Sequence, residues 1–208
     1  DPADETIADF ADARNHALSL ATQNVHLWVD ADDDIIGAEN IPALIARPER
    51  AVQYLVPYEY THDAAGRCTC LHWRENLVWP RSELRWQIPV HEVLIPGCPM
   101  DAIEPTNLLR RVHKKHLSKK AHDPRRNVRI LDKYVARVGE TDVRALYYYG
   151  VELRNDNRVG EAITILRRYA ELSNGPNGWH DERCLALLEL ARIYHHIVND
   201  QQEAVRWA

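Results

Sequence analysis

Leu27-Trp28-Val29-Asp30-Ala31-Asp32-Asp33 is the stretch whose reading decides this chain. The apolar, β-branched and aromatic run from Val25 to Val29 predicts a buried strand. It stops in Asp30-Ala31-Asp32-Asp33-Asp34, too acidic to continue a core strand. Open α/β sheets place ligands at the carboxyl ends of their strands. In an extended backbone Asp30 and Asp32, two residues apart, face the same way. Two carboxylates on one side of a loop suit a hard divalent cation that keeps waters and takes substrate phosphate oxygens as its other ligands. The plain alternative is an acidic turn, with Asp33 or Asp34 capping the next helix.

Working outward, residues 4 to 22 predict a helix, because Ile7, Phe10, Ala11, Arg14, Ala17, Leu18 and Ala21 recur at three- and four-residue spacing. A short helix is expected near Ala38 to Ala46, closed by Pro48. Ala51 to Tyr60 and Arg67 to Trp73 read as a hairpin around the turn residues His62-Asp63-Ala64-Ala65-Gly66. Residues 76 to 106 are rich in Pro and Trp and predict short strands and loops, packed as a lid or pocket wall. After Pro124 the pattern turns helical. Arg125 to Val138 is amphipathic, and nearly everything beyond Asp142 is helical. Glu161-Ala162 and Glu203-Ala204 hold the same place in two helix–turn–helix copies, 42 residues apart. That exceeds the roughly 34 residues of a tetratricopeptide repeat, and the loop Asn174 to Asp181 supplies the difference. One repeat and part of a second cannot bury a solenoid core, so further repeats are expected past Ala208, and the chain reads as an excerpt from a longer protein.

The 208 residues are 45% hydrophobic and 27% charged, which excludes disorder as the main state. No apolar run approaches the ~18 residues of a membrane span, and the first residues do not read as a signal peptide. Four cysteines, scattered, point to a reducing compartment, taken as the cytoplasm. The net charge of −5 hides an asymmetry. Asp1 to Asn40 carries ten acids and one base, Arg14; Leu108 to Arg137 carries eleven bases and two acids. Acids that hold a divalent metal and bases that hold phosphate oxygens can serve one ligand. The other readings are two solvated patches or a nucleic-acid stripe, and the acidic first third argues against duplex binding. Cys68, Cys70 and His72 alternate along one strand face and with Cys98 form a zinc candidate, but C-x-C is not a usual zinc spacing and buried thiols are the commoner case.

Ala13-Arg14-Asn15…Ala17-Leu18…Ala21-Thr22, followed by the apolar strand ending in Asp30-Ala31-Asp32-Asp33, resembles the second half of the nucleotide-sugar domain of family 2 glycosyltransferases, which have a GT-A fold. Trp86-Gln87-Ile88-Pro89-Val90-His91-Glu92-Val93-Leu94 resembles the Trp…His-Glu segment of members with C-terminal tetratricopeptide repeats. Val112-His113 with Arg126-Asn127-Val128-Arg129-Ile130-Leu131 resembles the segment that leads into those repeats. The implied fold is α/β, a partial GT-A domain over residues 1 to 123, then a linking helix over 124 to 141 and tetratricopeptide-like repeats over 142 to 208. By that resemblance the chain takes up the domain after its opening strand–helix–strand, the part that grips the base, which is expected ahead of Asp1.

The resemblance implies an inverting, metal-dependent transferase moving a sugar from a nucleotide-diphosphate sugar to an acceptor: a peptide, a glycan or a lipid-linked sugar. Asp30 and Asp32 would bind Mg²⁺ or Mn²⁺ across the diphosphate, with His113 as a third ligand and His116 as its substitute. Arg14 would reach the phosphates or pair with nearby acids. Glu92 would be the base that takes the acceptor proton, with Glu75, Asp101 and Glu104 as fallbacks. His91 would orient Glu92 or touch the sugar. Trp79 and Trp86 would stack on a sugar ring or simply pack. The repeats would bind a protein partner, the acceptor or a second copy. The competing class is a non-catalytic helical-repeat adaptor on a degenerate scaffold.

Overall fold

The computed structural model describes residues 8–46, 53–79, 84–95, 102–114, 123–175 and 179–208. The protein is mixed α/β and forms two compact units. One holds residues 12–87 and 93–114; the other holds 8–11, 88–92 and 123–208. No helix among the described residues is long and apolar enough to cross a membrane.

The first unit is a six-stranded sheet. Its strands are β1 (His26–Leu27), β2 (Asp33–Ile36), β3 (Gln53–His62), β4 (Cys68–Val78), β7 (Ile103–Pro105) and β8 (Arg110–His113). The order is β1-β4-β3-β8-β2, with β7 also on β3. The β3–β4 hairpin lies where sequence alternation and turn residues put it. Asp63 closes it by accepting from the amides of Ala65 and Arg67, both at 2.9 Å. Only β7 and β8 run parallel to β3; the other pairs are antiparallel. A second hairpin pairs β5 (Arg85–Gln87) with β6 (Val93–Ile95).

The buried strand expected over Val25 to Val29 is corrected. Only His26 and Leu27 pair, at the edge of the sheet on β4, and Leu27 and Val29 are exposed. An edge strand buries one face at most. Val25 faces the core of Leu44, Tyr54, Val56, Leu77 and Leu109. The chain turns at Asp30 to Asp33 and enters β2 at the opposite end of the strand order, so the sheet curls. Gly37 follows with φ +83; a Cβ there would meet the Leu108 carbonyl oxygen at 2.2 Å, so only glycine fits. The expected short helix is a 3₁₀ turn (Ala38–Asn40) running into α2 (Ile41–Ile45). Ahead of the sheet stands α1 (Phe10–Leu20).

The second unit is helical: α3 (Arg126–Val138), α4 (Val143–Asn155), α5 (Val159–Leu172), α6 (His180–Ile193), a π-turn (Tyr194–Val198) and α7 (Gln201–Trp207). Asp142 caps α4 and Asp200 caps α7. The breaks before α5 and α7 are built alike. Each has a left-handed asparagine, Asn157 (φ 64) or Asn199 (φ 60), five residues before a buried alanine, Ala162 or Ala204. Helices α4 and α5 touch closely at Gly150, where a Cβ would lie 2.6 Å from Leu166 Cγ. Leu146, Leu153, Leu166, Tyr169, Leu190 and Ile193 fill the core. Val90 joins Ile130 and Leu131 in a smaller cluster of the same unit.

Candidate functional site

The acidic turn is organised around Arg111. Leu109, just before β8, and Arg111 and His113 within it sit two residues apart, and Leu109 and Arg111 are fully buried. The Arg111 guanidinium lies between the rings of Trp28, 4.0 Å from its centroid, and Tyr58, at 4.3 Å. A bare buried cation would be costly, and two carboxylates offset it. Asp33, whose side chain is wholly buried, takes Arg111 Nη2 and Nε on Oδ2, and Asp30 Oδ2 lies 3.3 Å from Nη2. Arg111 Nη1 is buried with no hydrogen-bond partner among the described residues.

A second arginine continues the stack. Arg14 on α1 donates to Asp30 Oδ1 at 2.9 Å and sits over Trp28 at 4.5 Å and Trp86 at 5.1 Å. The tryptophans are pinned through their backbones. Asn76 donates to the Trp28 carbonyl, and Asn15 both donates to the Trp86 carbonyl and accepts from its amide. Tyr58, Arg111, Trp28, Arg14 and Trp86 thus form one alternating ladder of rings and cations.

On the other oxygen of Asp33 the site opens toward histidine. Oδ1 accepts from Tyr58 Oη at 3.0 Å and lies 3.2 Å from His113 Nδ1; Asp32 Oδ1 is 3.8 Å from the same nitrogen. The His113 ring stacks on Tyr60, centroids 5.2 Å apart, which fixes its plane. Burial pushes the Asp33 carboxyl up, but Arg111, Tyr58 and His113 together outweigh it, so Asp33 titrates below the ordinary range. Burial and the Asp33 charge push the Tyr58 phenol well up, so it stays a donor.

Asp32, Asp33 and His113 carry ligand atoms within 4.8 Å of one another. Two carboxylate oxygens and an imidazole nitrogen are a donor set for Mn²⁺ or Zn²⁺, and a hard cation takes the oxygens. Three carboxylates stand against two guanidiniums, which leaves a negative charge for a cation to meet. The residues present therefore fit a divalent metal.

Of the residues singled out from sequence, Asp32 and His113 meet here, and Arg14 and Asp30 meet each other. Asp30 and Asp32 are not in the extended backbone that would align them, because the Asp33 amide bonds the Asp30 carbonyl at 3.0 Å in a turn. Both Asp30 oxygens face guanidiniums. Asp33, read as a possible helix cap, is instead the residue common to the ion pair and the metal-ligand group. In sequence Arg111 is one of the eleven bases of the Leu108 to Arg137 run, and its position two residues after Leu109 is the signal that sets it apart. Trp86 is buried and packed edge-on to Trp28, and Trp79 packs on Tyr54. Glu75 pairs with Arg74. His116, Asp101 and Cys98 lie outside the described residues.

His91 and Glu92 belong to the helical unit. His91 Nε2 is 2.9 Å from Glu152 Oε1, and Asn127 donates to the same oxygen at 2.9 Å. The His91 ring stacks on Tyr148 at 4.5 Å. Burial raises the Glu152 carboxyl, and the bonds from His91 and Asn127 bring it below the ordinary range. Glu92 beside them is half-buried. Two left-handed residues frame the segment, Ile88 (φ 70) and His91 (φ 57). A β-branched residue there is strained, and such strain collects at functional segments.

No protein-family model matches the chain, and comparison with curated proteins gives no significant match.

Proposed function

We propose that the protein is an inverting, metal-dependent glycosyltransferase acting on a nucleotide-diphosphate sugar, with its helical unit a tetratricopeptide-like recognition module. The carrying observation is the convergence of Asp32, Asp33 and His113, the three residues that would hold Mg²⁺ or Mn²⁺. The metal would supply positive charge against the negative charge that builds on a leaving diphosphate. Arg111 holds Asp33 ionised and in place. Asp30 orients Arg14, whose guanidinium is partly exposed and able to meet phosphate oxygens. Tyr58 and Tyr60 fix the direction of Asp33 and His113. Glu92 is the proposed base on the resemblance alone, and the GT-A assignment of the sheet rests on the same motifs. The matching breaks at Asn157 and Asn199 support the repeat reading.

The test is a screen of nucleotide sugars for release of nucleoside diphosphate by the full-length protein, including the base-gripping segment expected ahead of Asp1, with Mn²⁺ and with chelator. Metal-dependent release from at least one donor, lost in Asp32→Asn, is the expected result. Release that chelator and Asp32→Asn leave untouched contradicts the proposal.

A further inference from the structure

A second group of metal-ligating side chains lies at the far end of the β3–β4 hairpin. Glu59, His62 and Cys68 carry ligand atoms within 4.8 Å of one another. In a regular strand Glu59 and His62, an odd number of residues apart, face opposite sides. Here the pairing of β3 with β4 slips between Glu59 and Thr61 and again between Thr61 and His62. Such irregularities re-aim side chains, and His62 Nε2 meets Glu59 Oε2 at 2.8 Å. Cys68 is the direct cross-strand partner of His62, held there by the Asp63 turn. Its thiol is exposed and donates only weakly to the Cys70 carbonyl at 3.3 Å. The buried thiol expected from sequence is therefore not what forms. Of the alternating Cys68, Cys70 and His72, Cys70 Sγ lies 3.7 Å from His72 Nε2, while Cys68 groups with Glu59 and His62.

We propose that Glu59, His62 and Cys68 form a surface zinc site that clasps the hairpin. One oxygen, one nitrogen and one sulfur donor suit Zn²⁺, with water in the fourth position. Zinc replaces the proton shared by Glu59 and His62 and displaces the proton of the Cys68 thiol. Arg110 holds the other Glu59 oxygen, at 2.6 Å, and so presents the carboxylate through Oε2 alone. This site shares no residue with the acidic turn and does not depend on the transferase reading.

The test is Co²⁺ titration of the reduced, metal-free protein, read by thiolate-to-cobalt charge-transfer absorption. Carboxylates and histidine at Asp32, Asp33 and His113 cannot produce that band. The site predicts a saturable band that Zn²⁺ abolishes and C68S removes. Cobalt affinity falls at least about tenfold in H62A. C70S and C184S retain the band. No band in the wild-type protein, a band that survives C68S, or its loss in C70S or C184S overturns the proposal.

Discussion

Replacing Asp33 by Asn removes the principal countercharge of a fully buried guanidinium. Breaking a buried pair from one side costs about 3–5 kcal/mol, because the remaining charge is left uncompensated. Asp30 still lies 3.3 Å from Arg111 Nη2, and the rings of Trp28 and Tyr58 still flank the cation. Those remaining contacts put the expected loss at the lower end, about 3 kcal/mol. The assay is native-state hydrogen exchange of the β3 and β8 amides, which reads local opening without assuming two-state unfolding. Arg111→Met in the Asp33→Asn background should cost less than the two single changes added together, since it removes the stranded charge. Acid gives a second arm. The Asp33 value is lowered on folding, so its contribution is complete above the ordinary value of 3.8 and is lost as pH falls through the lowered one. Wild-type protection should therefore fall more steeply than that of Asp33→Asn below pH 3.8. A loss under about 1 kcal/mol, or identical acid profiles, would refute a buried Arg111–Asp33 pair as the organiser of the site.

Other changes test the rest of the fold and the reading of Glu92. Gly150→Ala should destabilise the helical unit by about 1–3 kcal/mol, because its Cβ would meet Leu166 at 2.6 Å; an unchanged melting temperature would contradict that packing. Glu152→Ala takes the shared acceptor from the part-buried Asn127 amide and from His91 and should cost about 1 kcal/mol in urea unfolding, whereas Glu152→Gln should recover part of that. If Glu92 is the base, Glu92→Gln lowers kcat by roughly 10²–10⁴ with donor affinity nearly unchanged; an equal loss of donor affinity would make it structural.

Elements with a strong local period were legible in the sequence. The hairpin alternates and carries a turn sequence, and the helices after Pro124 repeat apolar residues at helical spacing. What was not legible depended on pairing between distant strands. Val25 to Val29 is apolar enough for a central strand, and only the sheet order shows it at an edge. The carboxylates were visible as a group, but their division was not. A turn at Asp30 sends Asp30 to the arginines and Asp33 to both Arg111 and His113, whereas an extended backbone would have paired Asp30 with Asp32. Arg111 sits in a basic run whose members look alike in sequence. Its burial follows from facing Trp28 and Tyr58, which lie 83 and 53 residues earlier. His91 and Asn127 lie in separate sequence motifs, and neither motif signals that the two side chains meet on Glu152.

In the proposed function Asp32, Asp33 and His113 hold a divalent metal that also takes a diphosphate. Titration of Mn²⁺ followed by its free-ion paramagnetic resonance signal, with and without a nucleoside diphosphate and corrected by protein-free diphosphate blanks for the Mn²⁺–diphosphate complex, tests it most directly. Bound Mn²⁺ whose affinity rises when the diphosphate is added, and which is lost in the Asp32→Asn, His113→Ala double variant, is the predicted result. Binding that the double variant retains, or that the diphosphate leaves unchanged, would contradict it.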